Sequence, residues 1–240
     1  MMRMHKLALV VLLLGAVSAE ATEWKGSGEL GLAYARGNAR SESLNAKLGF
    51  SREDDQWKHA LGFAALRQKG ESAVSEELEL TANRYEFTGS SGYKFSELSY
   101  LSGSLRYEND DFAPYEYQTT AALSYGHYLI KSEPTELLFE VGPGYRRFKE
   151  VASGETDGEV ILRGLMSWKH ALTETTAIEN LLLVEAGSDN TFAQNDLGVA
   201  VKMSDAFALK AGLQFRHNTE VAPGLDKTDT LFTTNLVYNF

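Results

Sequence analysis

The sequence contains no cysteine, so no disulfide braces the chain and no thiol is available to carry a lipid. It also lacks a long apolar run. The most apolar stretch, Leu7 to Val17, is about half of the ~20 residues that a helix needs to span a bilayer, and nothing later approaches it. Positive charge is in deficit: 23 Lys and Arg stand against 33 Asp and Glu, for a formal net charge of −10, which speaks against nucleic acid as a partner. No linker, charge block or low-complexity stretch divides the 240 residues, so one domain is expected.

The N-terminal segment reads as an export signal. Arg3, His5 and Lys6 precede the apolar run, and Val17-Ser18-Ala19 supplies small residues for cleavage, with Ala19-Glu20-Ala21 as the alternative. The expected division is a signal peptide over 1–19 and a mature domain over 20–240. A mean hydropathy of −0.26 with 43% hydrophobic residues would suit a soluble protein. A barrel of the outer membrane has the same balance, because only alternate residues face lipid.

Alternation then runs through the whole mature chain. At the C-terminus Phe232, Thr234, Leu236, Tyr238 and Phe240 occupy one parity, and Asp229, Leu231, Thr233, Asn235, Val237 and Asn239 the other, which is the period of a strand. Strands are expected from Trp24 to Ala35, from Ser43 to Ser51 and from Trp57 to Ala65, then near 77–87, 98–108, 115–130, 136–148, 159–170, 177–187, 191–203, 206–217 and 229–240. The total is twelve, an even count that returns both termini to the periplasmic side of a bacterial barrel. The inner joins are short, except for the long polar segment Thr88 to Glu97. Strand nine has no clear phase, since Leu181, Leu182, Leu183 and Val184 are consecutive. Pro143, flanked by Gly142 and Gly144, implies a bulge in strand seven.

Aromatics in the lipid-facing phase gather at strand ends. Trp24, Phe50, Trp57, Tyr125, Trp168, Phe207, Tyr238 and Phe240 fall at expected periplasmic ends, and Tyr34, Tyr107, Tyr115, Tyr117, Tyr145 and Phe215 at outer ends. Two girdles around an aliphatic band follow from the preference of amphipathic rings for the headgroup region. A secreted β-sandwich or lipocalin-like barrel has no reason to produce them. The expected fold is a twelve-stranded antiparallel transmembrane β-barrel in the outer membrane of a Gram-negative cell, surrounded by lipid and lipopolysaccharide.

Gly37-Asn38, the run Leu105-Arg106-Tyr107-Glu108-Asn109-Asp110-Asp111-Phe112, and Gly142-Pro143-Gly144-Tyr145-Arg146 together resemble the YdiY-like family of salt-induced outer-membrane proteins, over essentially Trp24 to Phe240. The resemblance implies a fold and a location and carries over no functional residue. Leu236, Tyr238 and the terminal Phe240 likewise resemble the signal by which outer-membrane barrels are recognised by the barrel-assembly machinery.

Catalytic motifs are weighed and set aside. Gly26-Ser27-Gly28-Glu29-Leu30-Gly31 has dinucleotide-binding glycines, but it lies within a strand and opens no helix. A lipid hydrolase needs Ser and His together on the lipid-facing wall. His59, His127 and His170 fall at inner ends, where interfacial anchoring explains them, and His217 is expected beside Thr230. The acids Asn109-Asp110-Asp111 and Glu150, Glu155, Asp157 and Glu159 are read as solvated outer-loop residues in preference to a divalent-cation site. No cofactor and no metal is expected.

The lumen-facing phase is highly charged. It carries Lys25, Lys47, Lys58, Arg106, Arg146, Arg163, Lys169, Lys202, Lys210 and Arg216 against Glu29, Glu77, Glu79, Glu108, Glu116, Glu140, Asp196 and Asp229. Charges this numerous require water or mutual pairing. Twelve strands fall between the eight whose side chains fill the interior and the sixteen that leave an aqueous channel. A narrow passive channel for ions or small polar solutes is the leading expectation. A structural or salt-stress barrel with a closed, salt-bridged lumen is the alternative, and an outer-membrane lipid hydrolase ranks third.

Overall fold

The computed structural model describes residues 23–35, 40–72, 75, 77–221 and 226–240. The signal segment and the Gly37-Asn38 turn lie outside the described residues. The chain forms twelve strands: β1 (Lys25–Ala35), β2 (Ser41–Glu53), β3 (Trp57–Glu71), β4 (Leu78–Lys94), β5 (Ser99–Asp110), β6 (Tyr115–Ser132), β7 (Thr135–Glu150), β8 (Thr156–Ala171), β9 (Thr176–Ala186), β10 (Thr191–Lys202), β11 (Phe207–Asn218) and β12 (Thr228–Asn239). Each pairs antiparallel with its sequence neighbours, and β1 pairs with β12 to close the barrel. Closure leaves no sheet edge, as a wall in hydrocarbon requires. The start of β1 and the end of β12 lie at one end, here called the inner end.

The seam is the shortest ladder, running from Ser27↔Asn239 to Leu30↔Leu236. Phe240 extends it by one step. The Gly26 N–H donates to the Phe240 carbonyl at 2.6 Å, and the Phe240 N–H returns to the Gly26 carbonyl at 2.9 Å. The Phe240 ring then lies over Gly26, where a Cβ would come within 2.2 Å of it. It meets Phe50 edge-on at 6.0 Å and stacks on Tyr238 at 5.5 Å.

Period two separates two environments. Leu32, Val160 and Phe232 are 72%, 72% and 70% exposed on the outer wall, whereas Arg106, Glu108, Ser124 and Asn235 on the opposite parity are buried. A soluble protein does not leave so continuous an apolar surface bare. Aromatics touch in chains at both ends of this surface. His59 stacks between Trp24 (6.4 Å) and Trp57 (5.8 Å), and Trp57 meets Tyr93 at 5.3 Å. At the outer end Tyr107 lies between Tyr85 (6.1 Å) and Tyr117 (6.3 Å), while Tyr34 and Tyr145 stand exposed near the same rim. Trp168 stacks on His170 at 6.2 Å.

Four local readings of the sequence change. The segment expected as a long inner loop from Thr88 is strand: β4 reaches Lys94 and pairs in full with β3 and β5. Gly92 in this segment answers a packing need, since a Cβ there would stand 2.9 Å from the Tyr100 ring, and Gly126 of β6 answers the same need at 2.3 Å. Strand three continues past Ala65 to Glu71, with a register shift between Gln68 and Lys69. Pro143 produces no bulge; the β6–β7 register is the same at Ala122↔Gly144 and Tyr125↔Val141, and the ladder merely opens between them, where Pro143 has no N–H to donate. The register shifts instead between Tyr128 and Ile130 and between Tyr115 and Tyr117. The second shift turns Tyr115 away from the wall and onto Phe148, with ring centroids 4.5 Å apart.

The β2–β3 turn shows how short inner joins are held. Asp54 Oδ1 accepts from the Gln56 and Trp57 N–H groups at 2.9 and 2.7 Å, which holds its carboxyl below the usual carboxylate range. This contribution is present above the ordinary pKa and is lost as pH falls through the lowered one.

Replacing Gly26 with Val forces the Phe240 ring off the seam and should cost about 1–3 kcal/mol. Gly164→Val is the control, since nothing lies within 4 Å of a Cβ there. Folded fraction by heat-modifiable gel mobility should drop for Gly26→Val and for a Phe240 deletion, and stay at the wild-type level for Gly164→Val.

Candidate lumen constriction

The lumen-facing parity of β5 carries Ser102, Arg106 and Glu108, all buried. Strand β11 stands six strands from β5 in either direction round the ring, so the two are opposite walls. They nevertheless touch. Arg216 Nη2 of β11 donates to both Glu108 oxygens at 2.7 Å, and Arg106 Nη1 reaches the same carboxylate at 3.0 Å. Arg106 Nη2 also donates to Glu185 of β9 at 2.6 Å, with its Nε at 3.3 Å, and Nη1 lies 3.3 Å from Glu86 of β4. Gln118 and Thr120 of β6 complete the acceptors' shells at 2.9 and 3.3 Å.

Phe192 of β10, 0% exposed, packs against both guanidinium groups, which lie 4.8 and 4.9 Å from its ring centroid. Planar guanidinium suits such stacking and bidentate pairing at once. Toward the outer rim Arg146, 0% exposed, pairs with Glu159 and donates to the Asn190 carbonyl. Glu159 also accepts from the Asp189 N–H at 2.9 Å and Ser188 Oγ at 3.2 Å. Opposed charges thus form a belt across the lumen in which most donors and acceptors are satisfied, the condition under which buried ions are tolerated.

Other charges serve the lumen below and beside this belt. Arg163 meets Glu140 at 2.8 Å, and Glu140 accepts from the Tyr100 hydroxyl at 2.6 Å. Lys58 donates to the Tyr128 hydroxyl at 2.5 Å and lies over the Tyr100 and Tyr128 rings. Lys210 bridges Glu29, at 2.9 Å, and Glu179, while Lys47 lies 3.6 Å from Asp196. These last groups line a cavity of about 300 Å³ on the side of β1–β4 and β9–β12.

Some charges stand elsewhere. Lys202 is at the inner rim, half exposed and paired with Asp205 of the following turn, and Lys25 is exposed at the same end. Glu116 is not in the lumen. The irregularity between Tyr115 and Tyr117 carries it to the outer rim, where it is 53% exposed and pairs with Lys149. Conversely, Glu159 is no solvated loop acid but a buried member of the outer pair.

Glu185 and Glu86 escape the sequence reading. Glu185 lies on the strand of unclear phase; its register with Phe192 and Arg163 puts Glu179, Leu181, Leu183 and Glu185 on the lumen parity. Alternation with Glu179 is the signal that would have found it. The structure also brings a Ser and a His together: Ser99 Oγ lies 2.8 Å from His127 Nδ1 and 3.1 Å from the Tyr125 hydroxyl. The pair follows from the register Ser99↔His127, and among the described residues no acid hydrogen-bonds to the ring's other nitrogen to orient it as a base. His217 bonds Thr228, at 2.8 Å, not Thr230.

This is a transmembrane barrel of the outer-membrane type. The chain belongs to the DUF481 family, described as proteins of unknown function, which matches residues 28–240 and is the family of the YdiY-like proteins. Among curated proteins none matches the sequence. The NanC porin is similar in fold, with a TM-score of 0.51 at 7% identity over 90% of this chain and 98% of that one. An outer membrane channel from Pseudomonas putida F1 gives 0.50 at 11% identity over 93% and 99%. Identities this low speak for the fold alone.

Breaking one partner of a buried pair leaves an uncompensated ion. Arg146→Met should therefore cost about 3–5 kcal/mol, and adding Glu159→Gln should recover part of it. Denaturant titration in lipid vesicles checks both; an unchanged midpoint for Arg146→Met would contradict the pairing.

Proposed function

We propose that this protein is an outer-membrane barrel closed to hydrated solutes in its resting state, with the belt of Arg106, Glu108, Glu185, Phe192 and Arg216 as its constriction. The observation that carries this reading is the 2.7 Å contact between Glu108 and Arg216 on opposite walls. The exposed apolar wall meets lipid and lipopolysaccharide, the inner end faces the periplasm, and Leu236, Tyr238 and Phe240 present the strand that the assembly machinery takes up. A role in salt-stressed envelopes rests on the family resemblance alone.

The cavity of about 300 Å³ beside the belt favours a second reading, a path for water and small ions along Glu29, Lys47, Glu179 and Lys210. Planar-bilayer recording separates the two. Wild-type protein should show no resolved steps, or very small ones, and Glu108→Ala/Arg216→Ala should raise conductance at least about fivefold by removing the constriction. Large steps from the wild type, or equal currents from both proteins, would contradict the closed reading.

Where current is resolved, its selectivity should follow the outer mouth. Asp111, Glu150, Glu155, Asp157, Glu220 and Asp226 concentrate acid there, whereas Asp110 is enclosed and paired with Arg84, and a mouth of one sign gathers counter-ions. Reversal potentials should show weak cation preference that shrinks as salt rises, because screening acts over ~10 Å at ~0.1 M. Anion preference would mean that the lumen's lysines and arginines set the field.

A further inference from the structure

Arg52 does not belong to the lumen. It falls on the lipid-facing parity of β2 near the inner end, opposite His59 of β3. A guanidinium on that face is costly unless an anion meets it. Its Nε is buried and has no hydrogen-bond partner among the described residues. Asp54 is near enough for the Arg52 charge to act on its carboxyl, but Oδ1 of that group is already held by the Gln56 and Trp57 N–H groups.

Beside Arg52 the outer wall is hollowed. A shallow depression opens to the exterior across β3–β7, lined by Gly89, Gly103 and Ala121 together with Leu61, Leu105 and Leu123. A Cβ on Gly103 would have nothing within 4 Å, so a larger side chain there projects into this space without clashing with the wall. The inner end of the hollow is bounded by Arg52, Trp24 and His59. An apolar trough that begins at a cation and two interfacial rings matches a molecule with an acyl chain and an anionic head.

We propose that this groove binds one glycerophospholipid, with an acyl chain in the trough over Gly103 and its phosphate on Arg52. Phosphate supplies the paired acceptors that a guanidinium fork takes, met here by the two Nη nitrogens, since Nε is buried. Trp24 and His59 flank the glycerol level. The site sits at the inner end, so the lipid comes from the leaflet on that side. It is separate from the belt, and its occupancy does not depend on whether the lumen conducts.

Native mass spectrometry of the delipidated, detergent-solubilised barrel tests this, with dioleoyl phosphatidylglycerol as the titrant. Wild type should retain one lipid at concentrations where Arg52→Met and Gly103→Leu, each shown to be folded by gel mobility, bind at least tenfold more weakly. Gly164→Leu, on the same lipid-facing surface but away from the groove, should bind as wild type does. Dioleoylglycerol, which has the chains without the phosphate, should also bind at least tenfold more weakly than the phospholipid. Equal retention by wild type, Arg52→Met and Gly103→Leu would overturn the site, and equal retention of dioleoylglycerol would overturn the phosphate contact. A lipid-free dimer that Gly103→Leu converts to monomer would overturn the proposal in favour of contact between copies of this chain.

Discussion

Everything in this molecule depends on closing the backbone ladder between β1 and β12. In hydrocarbon an unpaired N–H or C=O has no water to turn to, so an open sheet is not an available state. The seam that prevents it is short, and its last hydrogen bonds belong to Gly26 and Phe240. The absent side chain of Gly26 gives the terminal ring its seat, which ties the first and last strands of the barrel into one joint. Terminal aromatic, glycine seat and closed ladder are one device.

Closure then divides the chain between two solvents. Residues of one parity meet lipid and can be Leu, Val or an interfacial ring. Residues of the other are enclosed with one another, and the sequence fills that enclosure with charge. Twelve strands make an interior that side chains can still bridge. Arginine and glutamate from β5, β9 and β11 reach across and satisfy each other, with Phe192 packed against both guanidinium groups. The outcome is a lumen whose polar surface has turned inward on itself, leaving a small cavity along one side.

The alternation of Phe232 to Phe240, the even strand count and the two aromatic ends were legible because period two is local and repeats along every strand. What was not legible involves register. Tyr115 and Glu116 sit at an irregularity that moves each off the face its parity assigns, and no local pattern marks it. The glycines after Thr88 look like a loop until Tyr100, ten or so residues on, is seen to need Gly92 and Gly126 beneath it. Lumen parity could be read for Arg106, Glu108, Arg146 and Arg216, but not for the partners Glu159 and Glu185. Glu159 resembled a loop acid, and Glu185 lay on a strand whose apolar run hid its phase. Pairing across a barrel joins residues such as Glu108 and Arg216, 108 positions apart, beyond the reach of periodicity.

The most direct test of a closed lumen is the exchange of arginine side-chain protons in lipid. The Nε–H of Arg106 is bonded to Glu185 and that of Arg146 to Glu159. In nitrogen-15 NMR spectra of the barrel in bilayers or nanodiscs transferred to D2O, both signals should persist long after those of exposed arginines have vanished. Exchange of both at the rate of an exposed arginine would mean that water fills the lumen and that the belt does not close it.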